Sequence, residues 1–147
     1  MFLLGYNKDI GEFRTERVFM KKKNAAAGGR DVLDNFEAQF KKSTLPLMVL
    51  TLLSEQEQMY AYEITQECLR RTDGIYKMPL LYTTLSKLLE QGFVEEVGKT
   101  ISESNRVRVY YRITEEGISH LYRLKSLYVK LSRAVQSVVY TEKERDD

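Results

Sequence analysis

The chain has 147 residues, 43% hydrophobic and 30% charged, with a net charge of +2. That length suits one domain plus an extra helix, and the single cysteine, Cys68, excludes an intrachain disulfide and fits a reducing, cytoplasmic compartment. No apolar run approaches the roughly 20 residues that span a bilayer, and Met1 to Leu4 is too short for a signal-peptide core. The mild positive charge neither demands nor forbids nucleic acid, so that question rests on where the charges sit.

Residues 1–30 carry scattered aromatics (Phe2, Tyr6, Phe13, Phe19) and the basic run Lys21-Lys22-Lys23, and they end in Ala25-Ala26-Ala27-Gly28-Gly29. No steady period runs through them, and they read as an N-terminal arm with a flexible connection. Helical spacing starts after Asp31, a fair N-cap, with Val32, Leu33, Phe36 and Phe40 on one face and Lys41 and Lys42 at the end. Ser43 or Thr44 then caps a second helix with Pro46 in its first turn. Its nearly unbroken apolar run, Leu45 to Leu53, marks a helix buried on most sides.

After the polar turn Ser54 to Gln58, a helix is expected over residues 60–71 with Ala61 or Tyr62, Ile64, Thr65, Cys68 and Leu69 inward. Thr72-Asp73-Gly74 stops it. Another is expected over residues 79–91, where Leu81, Leu85, Leu88 and Leu89 form the buried stripe and Gly92 supplies a left-handed C-cap. The period then changes. Residues 93–97 and 107–113 are rich in branched and aromatic side chains, as strands are, and the polar stretch 98–106 joins them into a β-hairpin. Thr114 caps a last helix with Glu115 and Glu116 in its first turn. Along that helix Leu121, Leu124, Tyr128, Leu131, Val135 and Val138 alternate spacings of three and four, the pattern of a coiled-coil seam. Residues 141–147 form a charged tail.

The fold class is therefore mainly α with a small β-hairpin: a winged helix-turn-helix over residues 31–113, followed by a long dimerisation helix over residues 114–140. Such a module lays a helix in the major groove, its N-terminal residues at base edges, while backbone amides and wing cations hold phosphates. The helix expected over 79–91 offers Tyr82, Thr83, Ser86 and Lys87 opposite its leucines, with Thr84 at the boundary and Tyr76 and Lys77 just before it. The hairpin carries Lys99, Arg106 and Arg108. These ten residues are the candidate DNA-binding set. Polar residues opposite a leucine stripe also serve as a plain solvated face, so a winged-helix interaction or ligand-sensing module without DNA binding is the alternative.

At these residues the chain resembles the PadR family of transcriptional regulators, over about residues 42–121. Tyr60-Ala61-Tyr62-Glu63-Ile64 is similar to that family's Tyr-Gly-Tyr-Glu-Ile signature. Leu81-Tyr82-Thr83-Thr84-Leu85, continuing through Leu88-Leu89-Glu90-Gln91-Gly92-Phe93-Val94, resembles its recognition helix running into the wing. Arg108 to Gly117 resembles its second wing strand and the start of its dimer helix. Ala61 stands where the family usually has Gly, and Thr83 where it commonly has Pro, so no operator sequence carries over. The resemblance implies that Tyr82 packs between recognition helix and wing with its hydroxyl near phosphate, and that Arg106 and Arg108 serve the wing. It implies a homodimeric repressor on a pseudo-palindromic double-stranded DNA operator, released in some members by a small aromatic effector bound near the dimer interface. The absence of tryptophan rules out the tryptophan-lined pocket of some members, and the ten tyrosines are the alternative lining.

The remaining reactive side chains point to no chemistry. His120 is the only histidine and lacks companions at metal-ligand spacing. Cys68 reads as a buried structural thiol. No phosphate-binding glycine loop, nucleophile elbow or carboxylate pair is present, and neither an enzyme nor a cofactor or metal site is expected.

Overall fold

The computed structural model describes residues 31–140. The arm expected over residues 1–30 and the tail over 141–147 lie outside the described residues. The chain divides into two compact units, Gln39–Tyr128 and a second made of the segments that flank it. In the second, the described residues belong to helices α1 and α4, defined below, with Asp31 and Tyr140 flanking them.

Helix α1 runs unbroken from Val32 to Ser54 with Pro46 inside it. This corrects the expected pair of helices split near Ser43. Proline in a helix interior removes a hydrogen bond and crowds the preceding turn, at about 3 kcal/mol or more. Against that cost, Leu45, Val49, Leu50, Leu52 and Leu53 are all buried in the same helix, and full burial of one such side chain contributes about 1.5–3 kcal/mol. Thr44 is not a cap: its hydroxyl donates back to the Phe40 carbonyl at 2.8 Å, within the helix.

A two-residue strand, β1 (Met59–Tyr60), leads into α2 (Ala61–Arg71). Ala61, Ile64 and Cys68 face the core, while Tyr62 is exposed. The Glu63 carboxylate accepts from the Tyr60 amide at 3.0 Å and satisfies one donor at the helix start. Asp73 and Gly74, both at positive φ, end the helix as expected. Helix α3 spans Leu81–Glu90, beginning two residues later than the sequence suggests. Its exit is a Schellman motif: the Phe93 amide donates to the Leu88 carbonyl at 3.0 Å and the Gly92 amide to Leu89 at 3.1 Å. Gly92 takes the positive φ, +77°, that this motif requires.

Strands β2 (Val94–Ile101) and β3 (Val107–Ile113) pair antiparallel, with a bulge between Glu96 and Gly98. The wing strand thus continues to Ile101, through a stretch expected to be loop, and the connecting turn shrinks to residues 102–106. Strand β1 pairs with the other edge of β3, so the sheet has three strands in the order β1-β3-β2 rather than the expected two. Helix α4 runs from Glu115 to Val139. Thr114 caps it, accepting from the Gly117 amide at 3.0 Å, and donates its own hydroxyl to the Gly92 carbonyl at 2.6 Å.

The core of Gln39–Tyr128 joins the C-terminal half of α1 to Ile64 and Cys68 of α2 and Leu81, Leu85 and Leu88 of α3. Met59, Val94, Tyr111 and Leu121 close it from the sheet and α4. Among the described residues no helix is long and apolar enough to cross a membrane.

Candidate nucleic-acid interface

Helices α2 and α3, with the turn between them, form the helix-turn-helix, and β2 and β3 form the wing. The leucine stripe of α3 fixes its rotation: with Leu81, Leu85 and Leu88 in the core, Tyr82, Thr83, Ser86 and Lys87 are turned outward and exposed. Thr84 is not among them. It is only 9% exposed and sits with the buried stripe, one position before Leu85. Its place in the candidate set is corrected on that ground.

Tyr76 is also set apart from the exposed face of α3. It is half-buried, its hydroxyl lies 2.8 Å from the Thr44 hydroxyl on α1, and the Lys41 ammonium sits 5.5 Å from its ring. Tyr76 therefore ties the α2–α3 turn to α1. Lys77, beside it, is exposed. The backbone then passes through Met78, a buried residue at φ +54°, before α3 begins. A side chain in that left-handed region is sparsely tolerated, and burial of Met78 holds it there.

The wing presents Lys99, Arg106 and Arg108, all exposed. Arg108 is laid over the Tyr60 ring, 4.7 Å from its centroid, and Tyr60 is held edge-on by Tyr110 at 5.5 Å. Arg106 stands at the turn. That turn is ordered by its own hydrogen bonds: the Ser102 amide donates to the Arg106 carbonyl at 2.9 Å, and the Arg106 amide donates to the Ser102 hydroxyl at 3.2 Å. Asn105 supplies the left-handed residue, φ +59°, a conformation asparagine accepts more readily than most side chains.

Charge pairing separates the cations into two groups. Arg70 and Arg71 bind Glu67, Arg71 also binds Glu55, and Arg112 binds Glu95 across the sheet. The guanidinium groups of Arg70 and Arg71 draw the Glu67 carboxyl down to about 2. Lys87, Lys99, Arg106 and Arg108 enter none of the ion pairs among the described residues. Those of α3 and the wing are thus among the cations left for an anionic partner.

Between wing and helices lies an open groove of about 640 Å³. Tyr62 and Gln66 of α2, Tyr82 of α3, and Ser104, Arg106 and Arg108 of the wing border it, with no carboxylate among its lining. Tyr82 lines this groove yet remains 69% exposed, so it flanks the space between helix and wing rather than filling it. Tyr60, Tyr62 and Gln66 are groove residues absent from the candidate set. Tyr60 and Tyr62 belong to the family-like motif that leads into α2, and no spacing in the sequence marks Gln66.

The six residues of the α4 seam do not share one environment. Leu121 is buried in the core of Gln39–Tyr128, so that core takes up a residue expected in the dimer seam. Leu124 is half-buried, and Tyr128, Leu131, Val135 and Val138 are exposed. His120 stacks on Phe93, centroids 4.1 Å apart and planes 7° from parallel. Cys68 is buried, and burial pushes its thiol above the ordinary range, away from thiolate reactivity. Among the described residues no group of His, Cys, Asp and Glu is arranged to hold a metal ion.

Comparison with known proteins places this geometry. The model of the transcriptional regulator PadR-like family matches residues 49–123, just over half the chain. No curated protein matches significantly. Among solved structures, a transcriptional regulator from Clostridium thermocellum is 26% identical over 69% of this chain and 99% of its own, with a TM-score of 0.62. A PadR-like transcription factor from Bacteroides fragilis is 28% identical over 71% of this chain and 99% of its own, at 0.55. A PadR family regulator from Eggerthella lenta is similar in fold, with 24% identity, 81% and 98% coverage, and a TM-score of 0.62.

Proposed function

Because the chain belongs to the PadR-like family of transcriptional regulators, we propose that it is a cytoplasmic, homodimeric repressor that binds a pseudo-palindromic DNA operator. One observation carries the DNA reading: the acid-free groove between the wing and the helices, bordered by Arg106 and Arg108, which like Lys87 and Lys99 enter none of the ion pairs among the described residues. A helix whose outward face is short and polar approaches base edges closely, and unpaired cations beside it hold phosphates. Tyr82 and Thr83 stand in the first turn of α3, where base contacts are made, with Ser86 one turn further on. Lys77 and Lys99 extend the phosphate-binding edge. The exposed stretch of α4 beyond Leu124, with Leu131, Val135 and Val138, pairs two copies. Two recognition helices related by two-fold symmetry then require half-sites about one helical turn, or a multiple of it, apart. A small aromatic effector, lodged among tyrosines near the dimer helices, would release the operator.

The test is a mobility-shift titration with the DNA upstream of the chain's own gene at two salt concentrations. Specific binding that weakens steeply with salt is expected. Replacing Lys87, Arg106 and Arg108 together with Ala should weaken it and flatten the salt dependence by roughly three phosphate contacts, each about 0.9 in the slope of log K against log salt. Unchanged operator affinity in that variant would overturn the assignment. Failure to bind any genomic fragment would favour the interaction module without DNA binding.

A further inference from the structure

The groove between the wing and the helices is deeper than a contact with DNA requires. Exposed cations such as Arg106, Arg108 and Lys87 suffice to meet the phosphates of a duplex. Beneath the two arginines the groove continues to Tyr111, which lines it and is only 6% exposed. The Tyr111 hydroxyl makes no hydrogen bond among the described residues. No fully enclosed polar side-chain atom there lacks a partner, so this hydroxyl reaches open space, and the space beside it is the groove. Burial, and after it Glu96 and Tyr82, hold its phenol above the ordinary tyrosine range, so it stays a protonated donor. A donor set this deep is within reach of a small molecule and out of reach of a duplex.

The walls and rim define what would fit. Tyr62 of α2 and Tyr82 of α3 are 64% and 69% exposed, and exposed aromatic rings stack on nucleobases whatever their identity. Val107 and Val109 of β3 add apolar surface. Arg106 and Arg108 rim the wing end, Arg108 already held over the Tyr60 ring, and no carboxylate lines the groove. An anionic group therefore belongs at that end. Glu96 stands across the ladder from Tyr111 and disfavours an anion at the floor. The ligand is thereby oriented, charge towards the wing and ring towards Tyr111. Its size follows from the volume: about 640 Å³ lies within the roughly 300–1,000 Å³ of pockets for drug-sized ligands, and one ring with one carboxylate would leave most of it empty. Thr65, Gln66, Ser102 and Ser104 spread further donors and acceptors around the lining, as a sugar and a base edge require.

We propose that this groove is a binding site for a free nucleotide, with its phosphate on Arg106 and Arg108, its base against Tyr62 and Tyr82, and an acceptor of the base on the Tyr111 hydroxyl. The site is separate from the effector position beside the dimer helices. A nucleotide held here covers Tyr82 and both wing arginines, so it competes with the operator directly. That consequence rests on the regulator reading above, whereas the site itself does not.

Isothermal titration calorimetry of the full-length chain, without DNA, compares AMP, GMP, CMP and UMP with inorganic phosphate and benzoate. At least one nucleotide is expected to bind saturably and about tenfold more tightly than phosphate or benzoate, within the range of one base stacked on an aromatic side chain. Tyr111→Phe keeps the ring in the core and removes only the hydroxyl. It should weaken the nucleotide about three- to tenfold, the net effect of one hydrogen bond, and leave operator affinity within about twofold. Tyr62→Ala, on an exposed side chain outside the core, should weaken the nucleotide about tenfold, and it decides the matter if Tyr111→Phe does not fold. In a mobility shift, the nucleotide should raise the apparent operator Kd in proportion to its concentration. No saturable nucleotide binding, benzoate binding as tightly as any nucleotide, or binding undiminished in Tyr62→Ala or in folded Tyr111→Phe overturns the site. A nucleotide that binds without weakening the operator complex overturns the competition. Failure to find any operator sinks the regulator reading instead, and the calorimetry stands apart from it.

Discussion

Gly117→Ala should destabilise the protein, although in most helices the same change stabilises it. Gly117 lies in the first turn of α4 and is buried. In an open helix the added methyl would gain about 1 kcal/mol. Here a Cβ would sit 2.1 Å from the Phe93 carbonyl oxygen, 2.7 Å from Ile113 Cγ1 and 2.9 Å from the Phe93 carbonyl carbon. Two of those three atoms are backbone, at the root of β2, and cannot rotate away. Relief requires α4 and the β2 root to separate by more than about 1 Å. That movement strains the bonds joining them, from the Thr114 amide to the Phe93 carbonyl at 3.0 Å and from the Thr114 hydroxyl to the Gly92 carbonyl at 2.6 Å. Overpacking costs about 1–3 kcal/mol, and each weakened hydrogen bond up to about 1 kcal/mol more. After subtracting the helix gain, the net loss is centred on about 2 kcal/mol, or roughly 4–8 °C in Tm for a chain of this size. Differential scanning fluorimetry at fixed protein concentration measures it. Gly98→Ala is the control, since nothing lies within 4 Å of its Cβ position, and it should shift Tm by no more than about 2–3 °C. A Gly117→Ala protein that melts at or above the parent would refute the reasoning.

Two further predictions follow from the ion pairs and from α4. Glu67 has its carboxyl lowered to about 2 by Arg70 and Arg71, so its contribution is present above about pH 4.5 and disappears as pH falls from there towards 2. Glu67→Gln should leave a shallower decline in urea-unfolding stability across that acid window, and an unchanged profile would show that the ion pairs do not stabilise the fold. On α4, Leu131 and Val135 are exposed at 54% and 60%, and replacing both with Glu should turn a dimer into a helical monomer by light scattering and circular dichroism. A double variant that remains dimeric at micromolar concentration would place the pairing surface elsewhere.

The elements with strong periods were legible in the sequence. The leucine stripe of α3, its glycine stop, and the Thr114 cap all stand where spacing and capping chemistry put them. The errors have physical causes. The polar run Lys41 to Thr44 reads as a helix break with Pro46 in the first turn beyond it, because local propensity does not register that five buried side chains on one helix outweigh one lost hydrogen bond. Strand β1 has two residues, too few to show any alternation, and it exists only because β3 offers a free edge. Thr84 and Leu121 are buried for different reasons. Thr84 stands at the margin of its stripe, where a turn of tens of degrees decides between core and solvent, and Leu121 stands at the end of its seam nearest the core, where the same face of α4 is still covered. Tyr76 looked like part of the DNA-facing set by proximity in sequence, whereas its hydroxyl finds Thr44, thirty-two residues away. The cations of the candidate set, Lys77, Lys87, Lys99, Arg106 and Arg108, are all exposed, and their pairing state is a fact of three dimensions that composition could not give.

The short strand β1 has a mechanical consequence. Its two rungs, Met59 to Tyr111 and Tyr60 to Tyr110, fasten the base of the wing to the first residues of α2, and the Arg108–Tyr60 stack adds a second fastening nearer the tip. Wing and helix-turn-helix are thereby welded like the fixed jaws of a gauge. A jaw set at one opening does not adjust to the object it grips. If α3 and the wing grip one duplex, as proposed, any mismatch between their span and the DNA would be absorbed by bending or compressing the DNA, and stiffness in the protein would become a preference among sequences that differ only in how easily they deform.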